Sequence, residues 1–203
     1  MIKKFSQRTF SLLTAIFLTL SVAVSASAVE HLLNVPTYVQ ERSNWCWIAC
    51  SAMVGRYYYW NSTIDQSTIC NAIYGSVGNY TGDPYREIAA IEYATQGRQK
   101  YTLAYKTSFT ANNFYHEIDQ GQPFIANVLD LSGEVGDHVY TVIGYGTVSG
   151  LSGTRLVMIN PYDGVWHEPS YNDFLLGNWD SAGRIYNDAV LFCLIGVIFL
   201  FIV

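Results

Sequence analysis

The apolar positions of this 203-residue chain change period part-way along it. Residues 47–59 contain no Pro and only one Gly, and Ile48, Ser51, Ala52 and Gly55 fall on or near one helical face. That face is small enough for another element to approach closely. Residues 69–74 read as a short helix stopped by Gly75, followed by a Gly-containing loop to Gly82. Asp83-Pro84 then marks a helix start, with a capping carboxylate, proline in the first position and Glu87 in the first turn. This helix runs to about Thr95 and stops at Gly97. Residues 100–105 alternate as a strand, and Thr110 caps a helix that ends at Gln120, ahead of Gly121.

From Pro123 the pattern becomes short apolar or alternating runs at 124–129, 139–145 and 156–159, divided by Gly, Asp and Ser. These predict strands of a mostly antiparallel sheet. Helices first and strands later predict an α+β domain, with a groove between the halves as a natural place for a site.

The ends change this picture. Lys3, Lys4 and Arg8 precede an apolar stretch, and Ala26-Ser27-Ala28 supplies a small-x-small pattern. Residues 1–28 therefore read as a secretory signal peptide cleaved after Ala28, and 29–188 as a single domain. Residues 189–203 form an uncharged, mostly large apolar tail, short of the roughly 20 residues of a usual membrane span. A short membrane anchor, a buried final segment and a tail from an altered reading frame compete for it. The expected location is secreted, with the tail as a possible tether.

Eight Lys/Arg face sixteen Asp/Glu beyond Ala28, a formal charge of −8. This argues against nucleic acid, which demands a basic face, and against anionic membrane surfaces. Sixteen tyrosines and five tryptophans provide core aromatics with polar tips.

Gln40 stands six positions before Cys46, which is flanked by Trp45 and Trp47 and opens a helix. A helix N-terminus favours thiolate over thiol, and a nearby amide can donate to an oxyanion. The domain holds Cys46, Cys50 and Cys70, and export implies an oxidising compartment. One bridge then leaves one free thiol. A Cys50–Cys70 disulfide leaves Cys46 at the helix start; a Cys46–Cys70 bridge with Cys50 as a small core residue is the alternative.

A thiol nucleophile requires a base, and the base an orienting partner. Of four histidines, His31 lacks supporting context, His116 sits on a helix face beside Glu117 and His167 follows Trp166 after a turn. His138 opens an apolar strand after a Gly turn. Asn160, ahead of Pro161 at the end of the following strand, can accept from one imidazole nitrogen while the other faces Cys46. Asp163 is its rival, and Asp137 points to the wrong face.

Gln40, the step to Cys46, Trp47, His138 opening a strand that ends Gly144-Tyr145-Gly146, and Asn160 together resemble papain-like cysteine peptidases. The Asn44-Trp45-Cys46-Trp47-Ile48-Ala49-Cys50 run and Asn160-Pro161-Tyr162 look more like the compact bacterial branch, which includes staphopain-like and bacteriocin-leader-processing peptidases. The resemblance spans residues 35–180. It implies a papain-like fold, a Cys46–His138 thiolate–imidazolium pair oriented by Asn160, and an oxyanion hole of Gln40 and the Cys46 N–H. Some relatives carry Asp as third member. Only residues 29–45 precede Cys46 in the domain, too few for a long inhibitory prosegment.

The reading is a monomeric cysteine peptidase acting on peptides or proteins, with no cofactor. No metal is expected, because the Cys and His spacings match no common zinc pattern. An amidase or transamidase using the same triad, and a non-catalytic peptide-binding module on a peptidase scaffold, are the alternatives.

Overall fold

The computed structural model describes residues 27–99, 101–104, 110–128, 138–148, 153–176 and 190–193. The predicted signal segment up to residue 26, Asp137 and the tail beyond Cys193 lie outside the described residues.

The helices are α1 (Cys46–Tyr58), α2 (Gln66–Tyr74), α3 (Pro84–Ala94), α4 (Ala111–Asp119) and α5 (Tyr171–Leu176). The strands are β1 (Ser27–Leu32), β2 (Tyr101–Ala104), β3 (Phe124–Val128), β4 (His138–Val148), β5 (Thr154–Ile159), β6 (Trp166–His167) and β7 (Val190–Cys193). The expected α+β class is what the chain adopts.

Local chemistry sets the helix boundaries. Asp65 caps α2 by accepting from the Thr68 N–H at 2.7 Å, and Gly75 ends it in the left-handed region at φ 72°. Asp83 accepts from the N–H groups of Tyr85 and Arg86, with Pro84 in the first turn of α3. The Asn113 side chain reaches back to the Thr110 N–H at 2.8 Å to open α4.

The sheet order is β2-β7-β3-β4-β5-β6, and every pairing is antiparallel. Strand β4 is the spine. It pairs with β3 from His138 to Val142, with β5 from Thr141 to Thr147, and with β1 from Gly144 to Val148. Gly144 allows the β1 approach: a Cβ there would lie 2.5 Å from the His31 carbonyl oxygen. Strand β1 starts at Ser27, so Ser27 and Ala28 pair with Val148 and Thr147 ahead of the expected cleavage point.

Both faces of the sheet are covered. Ile125, Val139, Ile143, Val157 and Ile159 pack with α1, α2 and α3 in one core. Phe124, Ala126, Val128, Tyr140, Val142, Leu156 and Met158 pack with Phe114, Ile118 and Phe174 of α4 and α5 in the other. The helices are therefore split between the two faces, where sequence order suggested that they segregate into one half. Residues alternate between the faces as a pleat requires. A bulge between Val142 and Gly144 inserts an extra residue and reverses the parity, which places Tyr145 with Tyr140 and Val142.

The apolar tail begins as β7, which joins β2 to the sheet and meets β3 at Ala126↔Val190. No helix among the described residues is long and apolar enough to cross a membrane.

Candidate active site

Cys46 is the first residue of α1 and is 8% exposed. Trp45 and Trp47 on either side are buried, and both fasten the helix start to the 75–82 loop. The Trp45 indole donates to the Gly78 carbonyl at 2.8 Å and the Trp47 indole to the Tyr80 carbonyl at 3.2 Å. These rings act as anchors in the core. The N-cap position supplies no side-chain cap, so the first amides of α1 are available to other acceptors.

The thiol departs from the expectation of a lowered pKa. Burial pushes Cys46 up to about 11, and the charge of Glu87 adds to the rise. The N–H groups of Val139, Trp47 and Cys46 itself favour the thiolate and oppose the shift without cancelling it. Desolvation outweighs the helix terminus because the sulfur is almost sealed from water.

His138 opens β4 and is 8% exposed. Its Nε2 lies 2.9 Å from Asn160 Oδ1. The same Oδ1 accepts from the Tyr162 N–H at 3.0 Å. A backbone N–H can only donate, so the shared atom must be the amide oxygen and His138 Nε2 must carry the ring proton. Nδ1 is then the basic nitrogen. Asn160 stands just past β5, its backbone held by the Val165 carbonyl and the Gly164 N–H, each within 2.9 Å. The rival, Asp163, is exposed and accepts from the Val165 N–H in a local turn.

Strand β4 also receives the face of α1. Val139 lies two residues beyond the last β4–β5 pair, Thr141↔Ile159. The Cys50 thiol donates to its carbonyl at 3.4 Å, while its N–H acts on Cys46. Cys46 and Cys50 are one helical turn apart, so one peptide residue engages both sulfurs.

This geometry corrects the expected Cys50–Cys70 disulfide. Cys46, Cys50 and Cys70 are all free thiols, so the alternative Cys46–Cys70 bridge is not formed either. Cys50 points at β4, whereas the Cys70 sulfur donates to the carbonyls of Gly78 at 3.4 Å and Ser76 at 3.6 Å.

Gln40 is brought to the same region by its N–H, which donates to the Pro161 carbonyl at 2.7 Å. Its side-chain nitrogen donates to the carbonyls of Arg42 at 2.9 Å and Ser43 at 2.8 Å, bracing the loop that leads into α1. Its side-chain oxygen is buried without a partner among the described residues.

Two residues near the site escaped sequence reasoning. Glu87, 2% exposed, accepts with both carboxylate oxygens from Asn127 Nδ2, at 2.9 and 3.0 Å. Asn127 on β3 is 3% exposed and pairs in register with Val139. Glu87 read as a first-turn capping charge. Its place on the 87, 90, 91, 94 stripe, all buried, was the signal that it faces inward.

The family model described as the Peptidase_C39 like family matches residues 32–187. No curated protein matches. Among solved structures, a C39-like peptidase from Bacillus anthracis overlaps with a TM-score of 0.48 at 16% identity, covering 81% of this chain and 96% of that one. UfSP from C. elegans overlaps with a TM-score of 0.49 at 10% identity, covering 84% of this chain and 34% of that one. The matched span takes in Gln40, Cys46, His138 and Asn160, and the chain belongs to the Peptidase_C39 like family of cysteine peptidases.

Proposed function

We propose that this peptidase is exported and hydrolyses peptide bonds through an acyl-enzyme at Cys46. The observation that carries the assignment is the Asn160 oxygen, which fixes the tautomer of a strand-start histidine whose neighbour, Val139, reaches Cys46 through its backbone N–H. His138 Nδ1 takes the thiol proton as the sulfur attacks the scissile carbonyl. The imidazolium then protonates the leaving amine, and water, activated by the same nitrogen, hydrolyses the thioester.

Because burial favours the Cys46 thiol over the thiolate, proton transfer to His138 accompanies attack. The Cys46 N–H stabilises the oxyanion. Gln40 joins it by exchanging one of its loop carbonyls for the developing charge. Substrates are peptides or proteins, and the enzyme acts as a monomer.

Export rests on the basic start, apolar run and Ala26-Ser27-Ala28 pattern. The pairing of β7 with β2 and β3 supports reading the start of the tail as part of the domain. Fractionation of the full chain beside one ending at Asp188 tests the tether: membrane association lost on truncation would support an anchor.

An epoxide-type thiol probe, followed by site mapping, tests the chemistry. Labelling at Cys46 and peptide cleavage, both abolished in Cys46→Ala, are expected. Cleavage that persists in a folded Cys46→Ala would refute the assignment.

A further inference from the structure

We propose that Glu87, acting through Asn127, is a positioning residue that sets the helix carrying Cys46 against the strand carrying His138. The inference rests on the peptidase reading above.

A carboxylate is rarely buried this fully without a specific pairing. Both Glu87 oxygens are taken up by one amide nitrogen from the opposite layer, so the contact fixes direction as well as distance. It joins α3, which packs with α1, to β3. On β3, Asn127 is the register partner of Val139 and Val128 that of His138. Val139 in turn holds Cys50 through its carbonyl. The path from Glu87 through Asn127 and Val139 to α1 therefore closes around the site from both layers.

Packing alone gives no reason for these residue types. Among the described residues, the buried Asn127 side-chain oxygen has no hydrogen-bond partner, a cost that an apolar residue would avoid. Replacing buried polar pairs by apolar ones is often neutral or stabilising, so the pair has to be explained by what it aligns. The same carboxylate adds, behind burial, to the upward shift of both the Cys46 and the Cys50 thiol.

The test compares the full chain with Glu87→Gln, Asn127→Asp and the swapped bridge Glu87→Gln/Asn127→Asp. Each is assayed for kcat and KM on a peptide substrate and for the pH profile of iodoacetamide alkylation mapped to Cys46. Glu87→Gln keeps an acceptor but loses the charge. It should lower kcat about tenfold with little change in KM, a step of about 1.4 kcal/mol, and move Cys46 alkylation to lower pH. Asn127→Asp opposes two acceptors and should lower kcat further. The swapped bridge restores a donor–acceptor pair and should recover most of that loss.

A Glu87→Gln enzyme with the parental kcat and alkylation profile would overturn the inference. So would a folded swapped bridge no better than Asn127→Asp. A parent that alkylates at Cys46 but cleaves no peptide would instead sink the peptidase reading, with the alkylation profiles still judging the bridge.

Discussion

Gly55→Ala sets two effects of similar size against each other, and the structure decides between them. Gly55 lies near the end of α1, where alanine is favoured over glycine by about 1 kcal/mol in a helix interior. The added Cβ, however, would stand 2.7 Å from the Ala94 Cβ, 2.8 Å from the Ala94 carbonyl oxygen and 3.0 Å from its carbonyl carbon. Ordinary carbon contacts sit near 3.5–4.0 Å, so α3 would have to retreat by roughly 1 Å. The obstacle is largely backbone, so no rotamer change relieves it.

Overpacking of a tight core costs about 1–3 kcal/mol and is sometimes worse. The upper half of that range applies here, leaving a net loss of about 1–2 kcal/mol after the propensity gain. For a domain of this size that is a drop in melting temperature of about 2–8 °C. Because α3 also carries Glu87, kcat should fall alongside stability. Urea unfolding followed by tryptophan fluorescence, with peptide hydrolysis in parallel, measures both. A Gly55→Ala variant with a higher unfolding midpoint than the parent would refute the reasoning, since propensity would then outweigh the clash.

Further outcomes follow from the site and its surroundings. Burial raises the Glu117 carboxyl to about 7, so between about pH 4.5 and 7 the folded state binds more protons than the unfolded one. Its contribution is full below the unfolded pKa and is lost as pH rises through the folded value. Glu117→Gln should flatten that slope and stabilise the protein at pH 8 by about 1–2 kcal/mol, discounted for partial solvent screening; unchanged melting profiles at pH 5 and pH 8 would contradict this. Asn160→Ala should lower kcat well beyond Asp163→Ala, which loses only a turn contact, and equal kcat losses would reopen the choice between them. Gln40→Ala, as loss of an oxyanion donor, should lower kcat by about 10²–10³ with little change in KM. A variant that loses melting temperature but keeps kcat would restrict Gln40 to bracing its loop.

Much of the fold was legible because the signals were local. Asp83-Pro84, Gly75 and Thr110 act at the helix ends where the sequence placed them, within one or two residues. Gly55, read as part of a small face, meets Ala94. The His138–Asn160 contact also followed from position, since each stands at a strand end where a polar group can leave the sheet. What escaped was relational. The pairings of β1 and β7 join segments distant in sequence, and the bulge that turns Tyr145 to the other face is marked locally only by Gly144. The cysteines misled because counting thiols says nothing of where each sulfur points. The height of the Cys46 pKa depends on how completely the surrounding layers exclude water, which a helix-start motif does not encode.

Asn160 makes both of its side-chain contacts through one oxygen, and among the described residues its amide nitrogen makes no hydrogen bond. Exchanging that nitrogen for oxygen would leave either contact geometrically intact. It would also bring a full negative charge against the imidazole, favouring its protonated form. Position 160 is thus a place where a change of one heavy atom can retune the base without moving it, so either residue type can hold the ring while setting a different pH for the work.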